Sequence, residues 1–259
     1  MYERFLALLD VSKKCFEAEL FDRDDIFSVI SPVVTNCARR INLALPIFGH
    51  QNYDEVKYYL PPLNSGVLQD CNAITLGIGD DIMAEKQFQM KFPGCKLFGV
   101  DPILQAGKVF EKVGTYDQIA VAATKGTFGT GIWHTGGLYT RESIPHVPFL
   151  DYLQKYNLTR VIDYITIDVE GAEYGLLPLL LRGGNLTKNG VEFCQINVET
   201  HGPLAEFGFS KSEYNNLMIS LIFDSDYFPV ISQYVKTHNR LFLFNYRNQV
   251  CIERYLLNH

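Results

Sequence analysis

At about 150 residues per domain, a chain of 259 residues makes one large domain or two small ones, with a core that needs no staples. Its 47% hydrophobic and 20% charged content excludes disorder, and 20 Gly with 11 Pro exclude low-complexity and collagen-like chains. A net charge of −6 excludes a general nucleic-acid binder, whose affinity rests on neutralising phosphates.

The first 65 residues have their own texture. Phe5, Leu8, Leu9, Ser12, Phe16 and Leu20 recur at three- and four-residue spacing, which predicts an amphipathic helix. Pro32, Pro46 and the Pro61-Pro62 pair break any longer element. Residues 1–65 therefore read as an N-terminal helical extension of short helices and loops, and LPPLNSGV as the boundary to a second unit, 66–259. No apolar stretch of about 7–15 residues precedes a small-residue cleavage site, and no run of about 18 apolar residues occurs. The expectation is a cytoplasmic chain without a membrane span. Six cysteines (Cys15, Cys37, Cys71, Cys95, Cys194 and Cys251) form no CxxC pair, and several lie in apolar runs. They read as buried free thiols in a reducing compartment. The triplets Asn157-Leu-Thr159 and Asn185-Leu-Thr187 then read as incidental.

From about residue 70, short apolar runs appear at intervals: 73–78, 96–100, 118–122, 164–169, 193–199, 228–234 and 240–245. Runs without clean alternation suit strands buried on both faces, and intervening helical stretches suit a parallel sheet. Only Val235 to Asn239 separate the last two, too few for a parallel crossover, so these form an antiparallel hairpin.

Four motifs carry chemistry. In ITLGIGDD, Gly77 and Gly79 follow a strand, and Asp80 or Asp81 is placed to cap the next helix. The strand CKLFGVDP ends in Asp101, 22 residues past Gly79, where an acid can accept hydrogen bonds from ribose hydroxyls. The third position of a dinucleotide fingerprint is Ile82 rather than Gly, and the turn is acidic. Both features disfavour a pyrophosphate and suit the positively charged S-adenosylmethionine. YITIDVEGAEYGLLPLLLRGG places Asp168, Glu170 and Glu173 at a strand's carboxyl end; the bland alternative is helix capping by Asp168 or Glu173. Like charges this close should raise at least one carboxylate pKa towards neutrality. Pro178 implies that the following helix starts late or kinks. NVETHGP places Glu199 and His201 at another strand end, where His201 could approach Glu170 across adjacent strand ends and act as a base; the bland alternative is a loop histidine with no role. No metal is expected, although Asp168, Glu170, Glu199 and His201 together have hard-cation chemistry. The segment 124–143 reads as a loop over the acceptor or as a β-excursion with Trp133 in the core, and Arg240, Arg247 and Arg254 as a solvated face.

IDVEGAE behind a GxG strand-turn-helix and a strand-end Asp resembles the FkbM-type methyltransferases, particularly nematode proteins carrying that domain. The resemblance runs from about Cys71 to Leu256 and includes VPFLDYLQKYNLTRVIDYITIDVEGAE and EFCQINVETHGP. It implies an α/β, Rossmann-like class I methyltransferase sheet of seven mostly parallel strands, the last antiparallel. It implies S-adenosylmethionine as donor and transfer to oxygen. Gly77, Gly79, Asp80, Asp101 and Asp168 would bind the donor, and Glu170 and His201 would orient or deprotonate a small-molecule, glycan or lipid hydroxyl. Two positions depart from the pattern. Thr75 stands where many methyltransferases have an acid, and Thr166 where the family usually has Lys. They motivate a second reading, a non-catalytic binding protein on the same fold. A NAD-dependent oxidoreductase is a third, against which Ile82 counts.

Overall fold

The computed structural model describes residues 2–63, 68–134, 138–203 and 209–256. The N-terminal segment forms α1 (Tyr2–Leu20), α2 (Ile26–Cys37) and α3 (Arg39–Ala44), then a hairpin of β1 (Phe48–Gln51) and β2 (Val56–Tyr59). Next come β3 (Asn72–Leu76), α4 (Met83–Lys91), β4 (Lys96–Val100), α5 (Leu104–Gly107), β5 (Thr115–Asp117) and β6 (Ala120–Ala122). A long hairpin of β7 (Gly126–His134) and β8 (Leu138–Pro148) leads to α6 (Phe149–Lys155) and β9 (Val161–Ile167). The chain ends with α7 (Glu173–Leu176), α8 (Asn185–Lys188), β10 (Glu192–His201), α9 (Lys211–Phe223), β11 (Tyr227–Val235), β12 (His238–Asn245) and α10 (Gln249–Tyr255).

Seven strands form one sheet in the order β11-β12-β10-β9-β3-β4-β5. The five from β10 to β5 are parallel, and β12 is antiparallel to both β10 and β11. This mixed α/β architecture is consistent with a Rossmann-like fold, and the last strand is the antiparallel one. β3 is buried along its whole length, the cause of its unbroken apolar run. The parallel strands all point their carboxyl ends to one edge, where Gly77, Asp101, Asp168 and His201 follow or end their strands.

Three expectations need correction. The run 118–122 is not a strand of the main sheet. That strand is Thr115–Asp117, the chain turns at Gln118, and β6 pairs with β8 in a separate three-stranded sheet, β6-β8-β7. The segment 124–143 is therefore a β-excursion; the Trp133 side chain lies outside what is described. The N-terminal segment is not purely helical, because β1–β2 packs on α4 and reaches β10 and β12. α2 runs through Pro32, its face of Ile30, Val33, Val34 and Cys37 buried against β11. Burial of this kind outweighs the cost of a mid-helix proline, about 3 kcal/mol. After the IDVEGAE motif, α7 tightens into a 3-10 turn over Leu177–Leu180 that contains Pro178, as its ring requires.

The free-thiol reading is also overturned. The cysteines pair as Cys15–Cys37, Cys71–Cys95 and Cys194–Cys251. The bridges tie α1 to α2, the start of β3 to the start of β4, and β10 to α10. No helix among the described residues is long and apolar enough to cross a membrane.

Candidate functional site

β3 stops at Leu76 because the next residues need left-handed backbone: Gly77, Gly79 and Asp80 have φ of 80°, 65° and 66°. At Gly77 a side chain has no room, since a Cβ would lie 1.8 Å from the Asp168 carbonyl oxygen, whereas at Gly79 it would meet open space. Asp101, at the end of β4, clamps this turn. Its Oδ2 accepts from the backbone N–H groups of Ile78 (3.0 Å) and Gly79 (3.3 Å), and its Oδ1 from that of Ile103 (2.8 Å). Burial raises its pKa against the lowering effect of those bonds. A carboxylate has about four acceptor positions, so one remains.

Asp81, rather than Asp80, binds the start of α4, whose N-cap Ile82 offers no side-chain bond. Its Oδ1 accepts from Met83 N (2.8 Å) and its Oδ2 from Tyr53 N (2.9 Å), while Asn52 Oδ1 accepts from Ala84 N (2.7 Å). Two of the N–H groups that could hold a phosphate, those of Met83 and Ala84, are thus taken by the protein's own side chains.

The second wall comes from β9. Asp168 Oδ1 is buried with no hydrogen-bond partner among the described residues. Burial, then the charges of Glu199 and Glu170, push its pKa well above the usual carboxylate range, against the charge of His201. Glu170 sits at φ 51°, a strained conformation for a residue with a side chain, and Gly171 at 105°. Glu173 does not simply cap α7. It is fully buried, its Oε2 accepts from Gly171 N (2.8 Å), and its Oε1 accepts from both His201 N (2.8 Å) and His201 Nδ1 (2.9 Å).

The other ring nitrogen of His201, Nε2, lies 3.2 Å from Glu170 Oε2, so the expected pair forms. Burial opposes a charge on this ring, but hydrogen bonds to Glu170 and Glu173 and the charges of Glu173 and Asp168 prevail, and the pKa rises from 6.5 to about 12. The ring is an imidazolium at neutral pH with both nitrogens engaged. Of the two roles read for His201, orientation and base, the contacts on both ring nitrogens favour orientation, with the ring behind Glu170. A raised folded-state pKa stabilises the fold fully below about 6.5, and that contribution is lost as pH rises towards about 12. NMR of the imidazole nitrogens should show this ring protonated throughout pH 6–9, and a midpoint near the ordinary value would contradict the arrangement.

These elements enclose a cleft of about 450 Å³. Gly77, Gly79, Asp80, Asp101, Asp168 and Glu170 all line it, as does Glu199; His201 is not on its wall. Burial lifts the Glu199 pKa to about 7, although Arg240 bonds it and works the other way. Arg240 also reaches Asp54 (2.7 Å), so it belongs to the site rather than to a solvated face. Arg254 likewise pairs with the buried Asp163, and Arg247 alone of the three is well exposed.

Sequence reasoning missed the third wall, the β1–β2 turn. Asn52, Tyr53, Asp54, Glu55 and Lys57 line the cleft. Lys57 is buried, with Nζ 3.3 Å from Glu55 Oε1 and 3.5 Å from Glu85 Oε1. Burial opposes its charge, but Glu85 and Glu55 raise its pKa. Thr75 Oγ1 donates to the same Glu85 oxygen (3.2 Å). The turn-forming NYDE was the available signal for the hairpin. Two trios, Asp168, Glu170, His201 and Glu199, His201, His238, bring ligand atoms within 4.8 Å of one another. Both need His201, where a cation would have to displace the ring proton.

Residues 50–240 match the family described as Methyltransferase FkbM domain, and the chain belongs to that family of methyltransferases. It is also similar to the Caenorhabditis elegans protein "Uncharacterized protein C28H8.7", 32% identical over 145 residues, 50% of this chain and 47% of that protein. The match thus spans about half of that relative's length. The family match begins inside β1–β2, the hairpin that walls the cleft.

Proposed function

We propose that the chain is an S-adenosylmethionine-dependent methyltransferase that methylates a hydroxyl oxygen of a small molecule, glycan or lipid. The observation that carries this reading is the glycine turn, clamped by Asp101 and opening on an acidic cleft, beside a helix whose first two N–H groups are already occupied. Such a cleft suits a cationic sulfonium and repels phosphates, which counts against both NAD and nucleic-acid partners.

Gly77 and Gly79 would let the donor approach the backbone. Asp80 and the remaining acceptor position of Asp101 would hold its hydroxyls, and Asp168 its cationic end. When bound, S-adenosylmethionine supplies an electrophilic methyl group. Glu170, braced by His201, would orient the acceptor hydroxyl. The hydroxyl proton would pass to Glu170, whose carboxylate lines the cleft. Most of the acceleration would come from alignment of acceptor and methyl group.

The departures at Thr75 and Thr166 have local compensation. Glu85 brings a carboxylate to Thr75, and Lys57 and Thr166 both line one small cavity. Both favour an active enzyme over a non-catalytic descendant. The three cystines favour an oxidising compartment over the cytoplasm. Thermal unfolding tests the donor assignment. S-adenosylhomocysteine at about 100 times its Kd should stabilise by about 2.7 kcal/mol, or about 5–10 °C in a chain of this size. Stabilisation by NAD instead would overturn it.

A further inference from the structure

We infer that Asn157 is an N-glycosylation site. Three independent observations converge on it. First, all six cysteines are paired, so the folded chain belongs where disulfides form and persist, which is also where asparagine-linked glycans are added. The argument for dismissing the sequons was a reducing compartment, and it goes with the free thiols.

Second, the triplet is presented outward. Leu158 is fully buried and its N–H donates to Leu153 O (2.8 Å), which anchors the middle of the sequon. Asn157 and Thr159 on either side are exposed. Asn157 turns the chain at the end of α6 with φ 55°, its N–H donating to Gln154 O (3.0 Å). A glycan on its side chain would displace no packing.

Third, the location is compatible with a working cleft. The sequon precedes Val161, the first residue of β9, and the cleft begins after the other end of that strand at Asp168. Seven residues of strand put the two about 23 Å apart. The second sequon lies at the same end of the sheet, before β10, but there Asn185 Oδ1 accepts from Asn189 Nδ2 (3.1 Å) and Thr187 Oγ1 donates to Leu181 O (2.6 Å). The folded chain holds that side chain in local bonds, which makes Asn157 the better-presented acceptor.

In the modification, Asn157 Nδ2 attacks the anomeric carbon of an oligosaccharide carried on a lipid pyrophosphate. One N–C bond forms, the C–O bond to the pyrophosphate breaks, the lipid pyrophosphate takes the electron pair, and the amide loses one proton. None of this rests on the methyltransferase reading.

The test is expression of the whole chain behind a cleavable secretory leader in eukaryotic cells, analysing cell-associated and secreted protein alike. Peptide N-glycosidase F should shift the protein on a gel and convert the asparagine of the 157 peptide to aspartate, read by mass spectrometry. Asn157→Gln and Thr159→Ala should each remove one glycan, Thr159→Ser should keep it, and Asn185→Gln should leave the 157 peptide modified. An unmodified 157 peptide in protein whose cystines have formed would overturn the inference, as would a gel pattern unchanged by Asn157→Gln.

Discussion

Glu173→Ala is expected to destabilise the fold by about 3–5 kcal/mol, the cost of breaking a buried ion pair from one side. Glu173 has no exposed surface, and it accepts from Gly171 N, His201 N and His201 Nδ1. Its removal leaves an imidazolium and two N–H groups buried without their acceptor. Glu173→Gln keeps a carbonyl oxygen while losing the charge, so it should cost less and lower the His201 pKa. Denaturant unfolding at constant m value measures both. A loss below about 1 kcal/mol for the alanine variant, ordinary for a surface site, would show that Glu173 is not the keystone of this corner.

Reduction of the cystines should have an effect of similar size. The Cys194–Cys251 bridge closes a loop over a sequence separation of 57, and both residues are fully buried. On the chain-entropy model a loop of that length contributes about 4 kcal/mol, a large share of the ordinary 5–15 kcal/mol of a folded chain. The denatured, unreduced protein should show no reactive thiol among its six cysteines, and a reductant should lower Tm. Six thiols titrating without reductant would restore the free-cysteine reading.

The parts of the molecule legible in its sequence are those dictated by local chemistry. Apolar runs marked β3, β4, β9, β10, β11 and β12 because strands covered on both faces need no polar alternation. The acids Asp101, Asp168 and Glu170 could be placed because each follows a strand at its carboxyl end. What stayed hidden depends on distant partners. Lys57 reads as a surface lysine until Glu55 and Glu85 close around it. His201 reads as a base or orienting group on its own until Glu173, 28 positions earlier, takes its Nδ1. The cystines join residues whose pairing among six cysteines no spacing specifies. The run at 118–122 misled because Ala120–Ala122 is as buried as a central strand while pairing in another sheet.

The most direct test of the account is calorimetric titration of the folded, disulfide-bonded chain with S-adenosylhomocysteine, alongside Asp101→Ala. Asp101 both clamps the glycine turn and faces the cleft. Micromolar binding by the native chain, weakened at least about 100-fold in a variant that still unfolds cooperatively, is the predicted result, corresponding to about 2.7 kcal/mol. No heat from the folded native chain at millimolar ligand would contradict the donor site and leave the fold as a methyltransferase scaffold without its chemistry.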